Sequence, residues 1–398
     1  MDGPIISCDI SKESSYIQAF DGVNNPLSKS VKINHDNEGY LALKKLKESV
    51  VSKTSIVPYF VFEATGVYQI NICEMAKRIG MKLYSISPLE SAKVRKSFIR
   101  TTKTDKIDPS NIAQVFYKRN LFEFDAEYIN NELYVKTRYY ETLIKKRANA
   151  KNTVAKYANI VFPSFEKYFS SFYSQSAIYV IKHYKCIQNI KKQSIGSIEK
   201  TLKNKTCHRG SNAHAFAIKL KEYASKYDLC ASSNKAYMDA LYDAIDKVEK
   251  FDASIKRLAD EIIAIASKLE NFDLYLSIPG VSKLIAASFC AEFGNLSRFS
   301  TAKKLIAYCG VDPNTQQSGN ISGNHLQITK KGNKTIRRLL YLVVCCNLRM
   351  GKDNKIYRFF SKRKSSGLCF KAAAIATCRK LLTCIYGMIT SKTSFKAN

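Results

Sequence analysis

The alternation of short apolar runs with helical segments in the first third of the chain constrains its fold more than any other feature. Residues 4–10 (PIISCDI) form an apolar run that closes around Asp9. Residues 16–20 make a second run after a polar turn. The turn-rich stretch 21–26 (DGVNNP) then leads to a third at 30–34. Residues 38–51 place Leu41, Leu43, Leu46 and Val50 at helical spacing. Residues 56–62 (IVPYFVF) read as a buried strand ending at Glu63. Residues 68–79 are helical with Gly80 as the C-terminal cap, 82–86 are a further strand, and two more helical stretches run past Asn120. Three strands followed by helix–strand–helix–strand–helix predict a layered α/β sheet.

That order is the order of an RNase H-like (RuvC-like) domain, expected over residues 1–122, with another α/β layer fold left open on order alone. In such a sheet the first and fourth strands are neighbours, so Asp9 and Glu63 converge. Asp105 and Asp108 lie in RTTKTDKIDPSNIA at a spacing of three, which puts both on one face if the segment is helical. Pro109 disfavours helical geometry at Asp108, so the helix is expected to start there, with Asp105 in the preceding turn. Four carboxylates suit Mg²⁺, with Mn²⁺ as the alternative. Two such ions about 4 Å apart can clamp both oxygens of a phosphodiester exchange.

Residues 123–270 are polar and helical. Residues 135–157 and 236–269 carry apolar stripes, the second through Leu241, Ile245, Val248, Ile255, Leu258 and Ile262. An antiparallel coiled coil or helical stalk fits this pattern, and so does a plain bundle. Residues 271–398 are expected to form a small, mostly helical domain. It opens with an apolar–Pro–Gly–apolar turn, SIPGV, of the kind that joins helix hairpins on DNA phosphates. A Gly/Ser/Asn loop at 310–323 contains Ser318. A serine hydroxyl there could attack phosphorus beside cations or metal, although such serines ordinarily just form turns.

Charge singles out the same end of the chain. The protein has 64 Lys+Arg against 33 Asp+Glu, a net +31. From residue 280 onward 21 cations face three acids (Glu292, Asp312, Asp353), so that segment carries 21 − 3 = +18. Nucleic acid is the partner this implies, with Lys330, Lys331, Lys334, Arg337 and Arg338 as the contact face. The longest unbroken apolar run, 339–346, is far short of the ~20 residues of a membrane span. No signal peptide is visible, and the twelve cysteines are scattered. No membrane partner is expected, and the location is the reducing cytoplasm, on the nucleoid.

The pieces CDISK, FEATG, KTDKIDP, SIPGV, YCGVDPNTQQSG and ITKKGNKTIRRLLY occur in this order. Together they resemble the DEDD-type insertion-sequence transposases, the bacterial group that includes the bridge-RNA-guided recombinases and the pilin-gene inversion recombinase. The resemblance implies an RNase H-like domain, a coiled-coil domain (123–270) and a C-terminal transposase domain (271–398). It assigns the acid set to Asp9, Glu63, Asp105 and Asp108, and the nucleophile to Ser318. It also implies double-stranded DNA at element ends and target, a structured guide RNA, and a homodimer or homotetramer with composite active sites. Read from the residues alone, a junction-resolvase-like nuclease using water and a non-catalytic RNA-binding protein both stay open.

Overall fold

The computed structural model describes residues 2–64, 66–88, 91, 108–118, 121, 123–124, 131–169, 171–205, 211–313, 317–318, 321–322, 328–351 and 354–396. The chain forms two compact units, Met1–Glu132 and Leu133–Asn398.

The first unit contains β1 (Ile5–Ile10), β2 (Ser14–Phe20), β3 (Val31–Asn34), α1 (Asn37–Thr54), β4 (Tyr59–Glu63), α2 (Gln69–Arg78), β5 (Leu83–Ile86) and α3 (Asp108–Lys118). The strands make one sheet in the order β3-β2-β1-β4-β5. β1 and β3 are antiparallel to β2, while β4 runs parallel to both β1 and β5. This is the RNase H-like arrangement that the sequence order called for. The pleat sends alternate residues to opposite faces. Ile6, Cys8, Phe60 and Phe62 meet Leu43 and Val50 of α1 and Ile72 and Ala76 of α2 on one side. Ile5 and Val61 meet Ile112, Val115 and Phe116 of α3 on the other. β4 begins at Tyr59, later than the apolar run suggests: Ile56 and Val57 are exposed, and Pro58 has no N–H for the ladder.

The second unit is helical: α4 (Glu132–Val161), α5 (Gln175–Tyr184), α6 (Ile187–Lys192), α7 (Ile195–Lys205), α8 (Ser211–Tyr227), α9 (Lys235–Ala266), α10 (Phe272–Leu276), α11 (Lys283–Phe293), α12 (Ala302–Cys309), α13 (Lys334–Met350), α14 (Lys355–Ser365) and α15 (Phe370–Ser391). A hairpin of β6 (Gln317–Ser318) and β7 (Ile321–Ser322) lies between α12 and α13. The long helices α4 and α9 run antiparallel. Lys136 bridges Glu261 at 2.6 Å, Arg147 bridges Asp252 at 2.8 Å, and the rings of Tyr157 and Tyr237 lie 6.3 Å apart.

Two apolar cores form along this pair. Val154, Ala158 and Val161 of α4 and Leu241, Ile245 and Val248 of α9 pack with α5–α8 around Phe162, Phe165 and Tyr223. Leu133 and Leu143 of α4 and Ile255, Leu258 and Ile262 of α9 belong instead to the core of α10–α15. The stalk-like stretches thus carry a helical bundle whose short members the sequence periodicity did not resolve. Helix α15 is long and apolar enough to cross a membrane, which a count of unbroken apolar runs overlooks. Its Ala374, Cys378, Leu381, Leu382 and Ile385 are buried in the α10–α15 core.

Candidate functional site

Parallel pairing of β1 with β4 sets Cys8 opposite Phe62. Asp9 and Glu63 each follow one residue later, so they sit side by side on neighbouring strands at the same end of the sheet. Both are half-buried. By the alternation of the pleat they occupy the face covered by α3, not the face packed by α1 and α2.

The direction of α3 extends this geometry. The Tyr117 hydroxyl, near its C-terminus, donates to the Gly3 carbonyl at 3.0 Å, with the Phe20 carbonyl at 3.3 Å. Both carbonyls flank the start of β1, where Ile5 pairs with Phe20. The helix therefore runs antiparallel to β1, and its first residue, Asp108, lies roughly 14 Å back toward the Asp9 end. Further along this helix Ile112 and Val115 face the sheet. The helix begins at Asp108 with Pro109 in its first turn, where a missing N–H is harmless. Asp105 lies outside the described residues. Among the described residues no three His, Cys, Asp or Glu side chains gather as a metal cluster. Asp9 and Glu63 nonetheless supply hard oxygen donors of the type a divalent cation such as Mg²⁺ takes.

Ser318 belongs to the second unit. It pairs with Ile321 as the last residue of β6, so only Gly319 and Asn320 separate the two strands. Ser318 is therefore the last paired position of β6. The loop expected at 310–323 is thus a hairpin at its centre, and its base is stapled. Lys330 N–H donates to the Gly310 carbonyl at 3.2 Å and Thr329 N–H to the Asp312 carbonyl at 3.0 Å. Thr329 Oγ1 donates to Asp312 Oδ1 at 2.8 Å, and Asn333 N–H to the Tyr308 carbonyl at 2.9 Å. A Cβ on Gly332 would stand 2.3 Å from the Tyr308 carbonyl oxygen, so this close approach admits only glycine.

Beneath the stem lies a buried polar group that the sequence reading did not single out. Asn333 caps α13, its Oδ1 accepting from Thr335 and Ile336 N–H. Its Nδ2 donates to Glu292 Oε2 at 2.6 Å. The Arg138 guanidinium of α4 donates to the same oxygen at 2.8 Å and to Thr335 Oγ1 at 3.0 Å. Glu292 is 1% exposed, and burial lifts its carboxyl above the ordinary value despite these donors. One sequence signal was available: Glu292 is a lone acid in an otherwise apolar helix, KLIAASFCAEF.

The five cations chosen from sequence separate into two kinds. Lys330, Lys331 and Lys334 are exposed. Arg337 turns inward, Nη1 donating to the Cys309 carbonyl at 2.8 Å, at the C-terminus of α12 where the helix dipole favours a cation. Arg338 pairs with Glu141 of α4. Glu141 lies outside the +18 segment, so the charge count within that segment does not see the acid that pairs with Arg338. The SIPGV turn is likewise engaged within the unit, since buried Asn347 donates to the Pro279 carbonyl at 2.7 Å and Val281 N–H to the Ile278 carbonyl at 3.1 Å.

Two family models match the chain. One, described as a transposase of the DEDD IS110 type, covers residues 6–163, which include β1, β4 and α3. The other, the transposase IS116/IS110/IS902 family, covers 273–358 and so the Ser318 hairpin. The chain belongs to the IS110-type transposase family. Among curated relatives in this family, the IS116 44.8 kDa protein of Streptomyces clavuligerus is 21% identical over 74% of this chain and 72% of its own length. The IS900 42 kDa protein of Mycobacterium paratuberculosis is 24% identical over 45% of this chain, and the pilin gene-inverting protein of Moraxella bovis 27% over 40%. The matches span about half the length of the last two, 48% and 49%. Among solved structures, T. thermophilus RuvC in complex with a Holliday junction substrate aligns over 28% of this chain and 91% of its own, at 10% identity and a TM-score of 0.22.

Proposed function

We propose that this chain is a DNA recombinase of a mobile insertion element, carrying out excision and integration through a covalent serine–DNA intermediate. The observation that carries the reading is the adjacency of Asp9 and Glu63 on the α3 face of the sheet, in a chain whose other unit carries Ser318 in β6. Asp9 and Glu63, with Asp105 and Asp108, would hold the divalent cation, which when bound withdraws charge from a phosphodiester oxygen. The Ser318 hydroxyl attacks phosphorus and loses its proton. A serine–phosphate bond forms as one strand leaves with its hydroxyl. Attack by the hydroxyl of the new partner strand restores the diester and frees the serine. Lys330, Lys331 and Lys334 neutralise flanking phosphates. Composite sites in a homodimer or homotetramer, and a structured guide RNA choosing the DNA, follow the family resemblance.

The test is adduct trapping on nicked DNA carrying an element end. A covalent protein–DNA species that vanishes in Ser318→Ala and in Asp9→Asn, both still binding DNA, is the expected result. Cleaved ends without any adduct would make the chain a nuclease using water, and strand exchange by Ser318→Ala would remove serine from the chemistry. Co-purification of a discrete element-encoded RNA tests the guide.

A further inference from the structure

Residues 354–398 contain ten Lys or Arg and neither Asp nor Glu. Helices α14 and α15 border an open cavity of about 390 Å³, within the range that accommodates a small organic group. Lys355, Arg358 and Lys362 line it from one face of α14, at spacings of three and four, and Lys380 lines it from α15. Between these cations the wall is apolar, made by Ile356, Phe359, Leu381 and Phe395. Phe395 is fixed there from beyond the end of α15. Its N–H donates to Ser277 Oγ at 2.9 Å, and nearby Lys392 pairs with Glu270 at 2.5 Å. The Arg363 guanidinium lies 5.1 Å from the centre of the Phe359 ring. Among the described residues no carboxylate pairs with Lys355, Lys362 or Lys380.

Cations gathered around one hole repel each other unless an anion joins them. A bare polyanion would leave the aromatic wall unused, and a flat bilayer cannot fill a concave site. A nucleotide satisfies both parts: its base covers the apolar wall and its phosphates meet the ammonium groups. A base stacked inside a duplex cannot enter, so the strand must be unpaired at this point. We infer that the α14–α15 cavity receives an unpaired nucleotide of a nucleic-acid strand, its base against Phe359 and Phe395 and its flanking phosphates on Lys355, Lys362 and Lys380. The inference rests on reading the chain as a nucleic-acid enzyme but on no part of the serine or metal chemistry. Apart from Lys355, Ile356 and Arg358, the lining residues lie beyond the family-matched segment, which ends at residue 358.

The experiment is fluorescence anisotropy of the full chain with labelled 15-mers of oligo-dT and oligo-U, and a duplex of equal length, across a salt series. The Lys355→Ala/Lys362→Ala/Lys380→Ala variant should lower the single-strand salt slope by roughly two, at about 0.7 per lost phosphate contact. Cys384→Phe narrows the cavity without altering charge. It should weaken single-strand binding roughly tenfold, the worth of one stacked base, with duplex binding and the salt slope unchanged. Phe395→Ala should do the same, should Cys384→Phe melt early. A stronger response from oligo-dT or from oligo-U identifies the strand as DNA or RNA. An unchanged slope in the triple variant overturns the inference, as does wild-type binding by both cavity variants. Displacement of the oligonucleotide by poly-glutamate or by phosphatidylserine vesicles at equal charge would overturn it too. Single-strand binding that depends on the cavity but gives no covalent adduct would sink the recombinase chemistry and leave this site standing.

Discussion

Replacing Glu292 by Ala tests whether the buried polar group under the serine hairpin stem holds that stem in place. In the wild type one carboxylate oxygen accepts from both Arg138 and Asn333, and Asn333 in turn caps α13. Removing one partner of a buried ion pair costs about 3–5 kcal/mol, because the other charge is stranded. Arg138 keeps 35% side-chain exposure and can recruit water, which moves the loss to the low end, about 3 kcal/mol. The weakened Asn333 contact adds about 1 kcal/mol. At about 2–4 °C per kcal/mol for a unit of this size, the melting temperature should fall by about 10 °C. Urea denaturation of the full chain, following the second unit, measures the loss directly. Arg138→Met/Glu292→Leu replaces the pair with apolar groups of similar size and should recover at least half of it. If Glu292→Ala costs less than about 1 kcal/mol, or the double variant is no better than the single, the pair does not support the stem.

Stability should also carry a pH signature. Burial raises the Glu292 carboxyl above its ordinary value, so the folded chain takes up this proton before the unfolded chain as pH falls. Relative to Glu292→Gln, the wild type is then most stable below the ordinary Glu range and loses that advantage as pH rises through the raised value; a pH-independent difference between the two would contradict it. Gly332→Ala forces a methyl to 2.3 Å from the Tyr308 carbonyl oxygen and should cost about 2 kcal/mol or more, with faster hydrogen exchange at the Lys330 and Asn333 amides; native protection there would show that the stem yields cheaply. Asn347→Ala removes the donors to the Pro279 and Val343 carbonyls and the acceptor for Asn354, which caps α14. Thermal melting should show a loss of about 2–3 kcal/mol, and a loss under 1 kcal/mol would place the SIPGV turn's support elsewhere.

The first unit was legible because its determinants are local. Short apolar runs, the DGVNNP turn and Gly80 mark the elements, and the order of those elements restricts the sheet to few topologies. Asp9 and Glu63 could be paired in advance because a parallel register aligns whatever ends two neighbouring strands. Pro109 falls in the first described turn of α3. The second unit resisted for the opposite reason. Helices α5–α8 are held by a core that also draws on Val154 of α4 and Val248 of α9, and such contacts leave no periodic trace in the short segments themselves. Arg337 and Arg338 looked free because their neighbours in sequence are apolar or basic. Their partners come from elsewhere: the Cys309 carbonyl closes α12, and Glu141 is 197 residues away on α4. The Gly/Ser/Asn composition around Ser318 suggested a loop, yet Gln317 and Ser318 pair with Ser322 and Ile321, and strands of two residues are too short to leave a periodic trace.

The antiparallel pair α4 and α9 has a consequence in terms of reach and phase. The helices are 30 and 32 residues long, roughly 45 Å each. One end of the pair is built into the α10–α15 core and the other into the α5–α8 bundle. Their length therefore acts as a ruler between two masses, with no loop in between to absorb a change. Seven residues added to each helix at matched positions would carry the bundle outward by about 10 Å and keep nearly the same side facing forward. Two residues added to each would move it only about 3 Å while turning it roughly 200°, presenting its opposite side to whatever the transposase grips. Relatives with longer or shorter stalks are thus expected to differ in steps of whole helical turns.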